Sequence, residues 1–372
     1  MQRNLASVTL LHRNGTVISE SLFCYCMPGV EEQGSRAETP IYFDADTSLS
    51  YLDGVVAVIG YGNQGRAQAH NLRESGVDVV VGNIHDDLWD AAVADGFEVL
   101  EIKDAVEKAR VVLFLVPDEV QPQVFQKSIL PTLTPGTVLC FASGYNIAFR
   151  MIEPPDTIDT VLVAPRMIGA GVRQAYLENR GFYAFIAVHN DHSGHARQRA
   201  LAIAKGIGAT KTGGAVLELT FRQEAELDLF NEQAFGPAFG QVLTSAVDVA
   251  VEAGYPPEAV LIELYMSGEL AYTVGKIAEM GTLKQLELHS PCSQYGSMSR
   301  GIRYANPELR EQMRMTLTEI QDGSFAQEFT EEYGRNLETL KDMKEMARDM
   351  PIVSLDESVR KNLRQENKPS QV

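Results

Sequence analysis

Six short runs of β-branched and apolar residues punctuate the first half of the chain: VVAVIG (55–60), VDVVVG (77–82), RVVLFLVP (110–117), GTVLCFA (136–142), DTVLVAP (159–165) and FYAFIAV (182–188). Helix-length segments separate them. Unbroken hydrophobicity marks strands covered on both faces, and strands alternating with helices predict a doubly wound parallel sheet. Beyond about Leu219 the strand signal stops, and helical periodicity takes over through 223–253, 257–280 and 306–348. The pattern predicts an α/β domain over 39–218 and an all-α domain over 219–356, with an N-terminal extension at 1–38 and a tail at 357–372. Within the extension, SVTLLHRNGTVISESLFCYC suits a hairpin around Asn14-Gly15, and the polar, turn-rich EEQGSRAETP after it marks an appendage.

One helical face breaks the pattern. In AELDLFNEQAFG (225–236), Asp228 and Glu232 lie one helical turn apart, in line with Phe235, Phe239, Val242, Ala246 and Ala250. That stripe is apolar. A carboxylate on a face meant for burial is costly without a positive partner, so a cation is expected there.

The first strand run leads into chemistry. VVAVIGYGNQGRAQAHNLRESG places Gly60, Gly62 and Gly65 after a buried strand and at the head of a helix. The first glycine permits the tight turn, the second admits a pyrophosphate to backbone amides, and the third allows close helix–strand packing. This is a Rossmann-like dinucleotide site. After the second strand comes Asn83-Ile84-His85-Asp86-Asp87, with no Arg or Lys to hold a ribose 2′-phosphate. Asp86 suits a free ribose diol, and it also suits the cap of the helix that DLWDAAVADG starts.

At 372 residues, 45% hydrophobic and 22% charged, the chain is long enough for two domains with real cores. A formal net charge of −18 opposes nucleic-acid and anionic-membrane partners. Small molecules, metals and second copies remain. The cysteines, Cys24, Cys26, Cys140 and Cys292, have neither zinc-like nor CxxC spacing, which predicts reduced thiols in a cytoplasmic setting. No 18-residue apolar run and no secretory leader pattern is apparent.

GYGNQG, PDEVQ (117–121), the Gly-Tyr-Asn of ASGYNI (142–147), VAPRMIG (163–169), ELDLFNEQ (226–233) and SQYG (293–296) occur in that order. With them the chain resembles the ketol-acid reductoisomerases from about Phe43 to Pro351, in the short class with one helical domain. The resemblance implies a reduced nicotinamide cofactor, a pair of Mg²⁺ ions, and a knotted helical domain through which two copies share each active site. The cofactor residues it implies are Gly60, Tyr61, Gly62, Asn63, Gln64, Gly65, Asn83, Asp86, Pro117, Asp118, Glu119, Val120, Gln121 and Gly169. It implies Asp228 and Glu232 as metal carboxylates, joined by Glu263 and Glu269 from the partner, with Ser290 on the substrate. The glutamates of that later helix are four residues apart in the family and six apart here.

Two positions depart from the family. Ser143 stands where the family carries a histidine, and Arg166 stands where it carries a lysine, followed by Met167 and Ile168 in place of glycine and proline. Arginine clamps anions but does not give up a proton near neutrality, and serine does not titrate there. Ser143, Arg166 and Glu232 are the expected catalytic residues. The expected activity is a Mg²⁺-dependent, reductoisomerase-like reduction of a 2-keto acid or related carbonyl or imine other than acetolactate. A genuine ketol-acid reductoisomerase is the alternative, and a non-catalytic dinucleotide-binding homologue is a third reading. NADH is expected over NADPH, because the positions that hold the 2′-phosphate in the family fall on Asn83, Asp86 and Leu88. A homodimer or larger assembly of dimers is expected.

Overall fold

The structure, a computed structural model, describes residues 11–13, 16–18 and 38–363. Strands β1 (Leu11–Arg13) and β2 (Thr16–Ile18) pair antiparallel, with Arg13 opposite Thr16 as a hairpin requires. Asn14, Gly15, Cys24 and Cys26 lie outside the described residues.

The main sheet has nine strands: β3 (Ile41–Tyr42), β4 (Val56–Ile59), β5 (Val79–Gly82), β6 (Glu98–Leu100), β7 (Val111–Phe114), β8 (Val138–Phe141), β9 (Asp159–Pro165), β10 (Tyr183–Asn190) and β11 (Ala215–Glu218). Their spatial order is β3-β11-β10-β9-β8-β7-β4-β5-β6. From β6 to β9 all neighbours are parallel, and the order reverses direction between β4 and β7. Ligands of such sheets bind outside the carboxyl ends of the strands at that reversal. The predicted doubly wound core is present, with one correction. FYAFIAV runs antiparallel to β9, because helix Gly169–Leu177 and the turn after it return the chain to the edge it had left, so that Ala184 pairs with Pro165. The short strands β3, β6 and β11 carry too few residues to show as runs.

Apolar residues fill both faces of the sheet. Val58, Leu72, Leu113 and Ile203 pack on one, and Ile59, Phe114, Phe125 and Leu139 on the other. The chain separates into two compact units, one comprising Glu38–Asn231 with Glu319–Glu338, the other comprising Glu232–Thr318 with Thr339–Glu366. Helix Phe221–Phe230, expected in the helical domain, therefore belongs with the sheet: Phe221 is part of the second core face. Helix Pro351–Asn362 runs through the expected tail boundary at 356/357 and buries Val359 in the small core of the second unit with Val247, Val260 and Leu261.

The helical half is segmented. Helices Pro257–Leu261, Glu269–Met280, Pro307–Asp322, Ser324–Gly334 and Glu338–Arg348 fall within the predicted stretches, broken at Gly268 and Gly323, whose φ angles are +84° and +86°. Among the described residues, one helical stretch, Phe221–Glu252, has the length and composition to cross a membrane, although no unbroken apolar run marks it in the sequence.

Candidate active site

Five strand ends, those of β4, β5, β7, β8 and β9, supply the site of the α/β unit. At the end of β4, Gly60 turns with φ +92°, and its N–H donates to Gly82 O at 2.9 Å. Helix Asn63–Glu74 then starts so close that a Cβ on Gly65 would lie 1.9 Å from Gly60 O. Nothing stands within 4 Å of a Cβ built on Gly62, and Gly62 and Asn63 at this helix N-terminus border an open cavity. Such a cradle fits a pyrophosphate. A cavity of about 820 Å³ opens beside Gly62 and Asn63, walled further by Arg66, Leu88, Gly169 and Arg173. Gly169 belongs there by necessity, since a Cβ on it would meet Asn63 O at 2.0 Å.

Two residues of this loop also have partners within the protein. Tyr61, 1% exposed, borders this cavity, and its hydroxyl donates to Asp95 Oδ2 at 2.8 Å. Gln64 donates from Nε2 to Met167 O at 2.9 Å, tying the loop to the segment after Arg166.

After β5, Asp86 caps helix Asp87–Ala94: its Oδ1 accepts from Leu88 N and Trp89 N, each at 3.0 Å, and from Asn83 Nδ2 at 2.8 Å. Both are thus fixed in one local network. After β7, the turn through Pro117, Asp118, Glu119, Val120 and Gln121 is pinned by side chains. Gln121 Nε2 donates to Val116 O at 2.9 Å, and Asn146 Nδ2 reaches both Asp118 O (2.9 Å) and Gln121 Oε1 (3.0 Å). The turn after β8 is held against the turn after β7. There Ser143 Oγ accepts from Tyr145 N at 3.3 Å, which leaves its own proton free to be donated. The buried Tyr145 hydroxyl has no hydrogen-bond partner among the described residues.

The charged centre joins the ends of β8 and β9 to helix Phe221–Phe230. That helix starts at a capping box, Thr220 accepting from Gln223 N and Gln223 Oε1 accepting from Thr220 N at 3.0 Å. Its first turns present Glu224 and Asp228. Arg166 donates from Nη1 to Glu224 Oε1 at 2.7 Å and from Nη2 to Asp228 Oδ1, while its guanidinium lies 5.1 Å from the Phe185 ring centre. Gly144 N donates to Glu224 Oε2 at 2.6 Å, and a Cβ on Gly144 would sit 2.3 Å from Phe221 O. Glu224 is 1% exposed. Burial raises its pKa to about 7, outweighing the Gly144 N–H and Arg166, which pull it down. The sequence reading missed Glu224. Its signal was available, one turn before Asp228 on the same helix face.

The other expected ligands lie in the helical unit. Glu232 falls in a π-helical turn, Asn231–Phe235, and Glu263 in another, Ile262–Met266; a third at Phe125–Ile129 carries none of the expected ligands. Such turns insert one residue and re-aim side chains. Gly268 then breaks the helix, and Glu269 opens the next one. Ser290 is exposed just before helix Pro291–Gly301, and its Oγ accepts from Ser293 N at 3.3 Å. Among the described residues no three His, Cys, Asp or Glu side chains gather to hold a metal. The carboxylates fit a hard divalent cation in chemistry, and Asp228 Oδ2 carries no hydrogen bond among the described residues.

Residues 51–213 match the family model described as acetohydroxy acid isomeroreductase, NADPH-binding domain, and residues 221–365 match ketol-acid reductoisomerase, C-terminal domain. The chain belongs to the ketol-acid reductoisomerase family. The ketol-acid reductoisomerase (NADP(+)) of Pyrobaculum calidifontis is 42% identical over 87% of this chain and 98% of its own. That of Methanopyrus kandleri is 44% identical over 86% and 97%. A solved NADH-preferring ketol-acid reductoisomerase from an uncultured archean superposes with a TM-score of 0.81 at 38% identity, covering 87% of this chain and 98% of that one. The protein is accordingly a nicotinamide-dependent oxidoreductase of this family.

Proposed function

We propose that this reductoisomerase-family chain is a ketol-acid reductoisomerase in full: alkyl migration on an acetohydroxy acid, then reduction of the resulting 2-keto acid. The observation that carries this reading is 42% identity to a reductoisomerase along 98% of its length, through both domains. It is preferred to the expectation of a changed substrate, which rested on the loss of titrating groups at Ser143 and Arg166. Glu224 supplies what those positions lack. With a pKa raised to about 7, it holds or releases a proton near neutrality, 2.6 Å from Gly144 N in the same turn as Ser143.

When bound, Mg²⁺ polarises the substrate oxygens, and Asp228 and Glu232 of one chain with Glu263 and Glu269 of another would hold it. The nicotinamide supplies hydride. The amides of Gly62 to Gly65 bind its pyrophosphate, Ser143 Oγ donates a hydrogen bond to substrate or carboxamide, Arg166 supplies fixed positive charge, and Ser290 contacts the substrate. NADH is preferred: the turn after β5 offers a 2′-phosphate the carboxylate of Asp86 and no Arg or Lys, and a structural relative is NADH-preferring, although the relatives at 42% and 44% identity carry NADP(+) in their names. The chain works as a homodimer or an assembly of dimers, a reading supported by Phe235, Phe239, Val242 and Val249 being exposed along one helix, and its setting is the cytoplasm.

Purified protein given Mg²⁺, acetolactate and NADH should oxidise the cofactor, with lower catalytic efficiency for NADPH in the same buffer. The Arg166–Asp228 pair favours the second reading, a reductase of another substrate. Oxidation with simple 2-keto acids but not acetolactate would establish that reading instead, and NADH binding without turnover on any of a 2-keto acid and imine panel would leave a binding protein.

A further inference from the structure

Arg166 is shared. One arm of its guanidinium meets the buried Glu224 and the other meets Asp228, an expected cation ligand. A divalent cation arriving at Asp228 meets a like charge already bonded to one of that carboxylate's oxygens. The guanidinium reaches both carboxylates with separate arms, whereas a single ammonium could not. Glu224 offers the alternative resting place: it is nearly fully buried, faces Nη1 at 2.7 Å, and is anchored from behind by Gly144 N. We propose that Arg166 is a built-in competitor for the divalent cation, and that Glu224 sets the strength of that competition by drawing the guanidinium away from Asp228.

The proposal rests on Asp228 being a cation ligand, as in the proposed function, and it predicts effects of opposite sign from two neighbouring residues. Neutralising Glu224 leaves Asp228 as the sole carboxylate partner of Arg166 and weakens cation binding. Removing the guanidinium as well frees Asp228 and strengthens it. Retaining a shorter, single-pronged cation at 166 gives an intermediate result.

MgCl₂ alone is titrated by calorimetry into the full-length protein, without substrate or cofactor, with circular dichroism confirming that each variant is folded. Arg166→Met is paired with Glu224→Gln so that no uncompensated carboxylate stays buried. Relative to wild type, Glu224→Gln should bind Mg²⁺ several-fold more weakly. The double variant Arg166→Met/Glu224→Gln should bind at least about tenfold more tightly than Glu224→Gln, and Arg166→Lys should bind more tightly than wild type. Asp228→Asn should abolish the high-affinity signal. Equal affinities across wild type, Arg166→Lys and the double variant, with binding lost in Asp228→Asn, would overturn the competition while keeping Asp228 as a ligand. Undiminished binding in Asp228→Asn would overturn both.

Discussion

Val56, Val58, Leu113, Leu139 and Phe141 in the α/β unit have no exposed surface, whereas Phe235, Val242 and Val249 in the helical unit keep 57%, 64% and 66% of theirs. The sheet is covered on both faces by helices from its own unit, so its apolar burial is complete within one chain. The helical unit gathers only Val247, Val260, Leu261 and Val359 into a buried cluster and leaves its longest apolar stripe bare. Burying each such side chain stabilises by about 1.5–3 kcal/mol, so the bare stripe is a driving force without a partner inside the chain. The difference separates the two: the first unit completes its core and its cofactor loop within itself, and the second leaves an apolar helix face exposed, the face on which the proposed dimer rests.

The sharpest break is Gly65→Ala. The new Cβ would lie 1.9 Å from the Gly60 carbonyl oxygen, which is backbone and fixed by the strand. A cost beyond about 4 kcal/mol and loss of NADH binding are expected, with the oligomeric state preserved. Unchanged NADH affinity in a fluorescence titration would show that the loop has slack. Phe239→Asp is the counterpart. A charge on the bare stripe should weaken self-association by about 3 kcal/mol and leave NADH binding intact. Sedimentation at micromolar concentration should then report monomer, and an unshifted oligomer would place the interface elsewhere.

Glu224 sharpens the comparison through pH. Its pKa in the folded chain is about 7 against an ordinary 4.5, so the folded state holds a proton that the unfolded state has released between those values. Its contribution to stability is complete below pH 4.5 and is lost as pH rises to 7, by up to about 3 kcal/mol. Glu224→Gln should flatten the melting temperature over that interval, and a parallel profile would assign the proton elsewhere. Asp95 acts at the other extreme and more weakly. Burial alone would raise its pKa, but hydrogen bonds from Arg66, Tyr61 and His70 hold it at about 2. Stability from this group is present above about pH 4 and lost as pH falls toward 2. Asp95→Asn should cost about 1 kcal/mol at neutral pH and nothing at pH 2, read from urea midpoints at both pH values.

Much of this was legible in order of residues. The glycines at 60, 62 and 65 after VVAVI specify a turn and a helix start by local sterics alone, and the Thr220–Gln223 capping box starts the helix of the charged centre. Two side chains have surroundings that only the fold reveals. Tyr61 lies in the glycine loop yet points inward, because Asp95, 34 residues on, offers its hydroxyl a partner. Glu224 stands one turn before Asp228 in the sequence, but its burial was not legible there, because Gly144 and Arg166 close over it from elsewhere in the chain.

By itself, the sequence determined the layered α/β core, the phosphate loop and the helical second half, because these depend on periodicity and on conformational limits felt within a few residues. Tertiary structure alone decided that β10 runs antiparallel, that helix Phe221–Phe230 joins the sheet, and that Arg166 divides its charge between Glu224 and Asp228. Each of these depends on groups 58 or more residues apart in the chain or on which end of the sheet the chain re-enters. The desolvation that moves a carboxylate's pKa exists only once those groups are packed together.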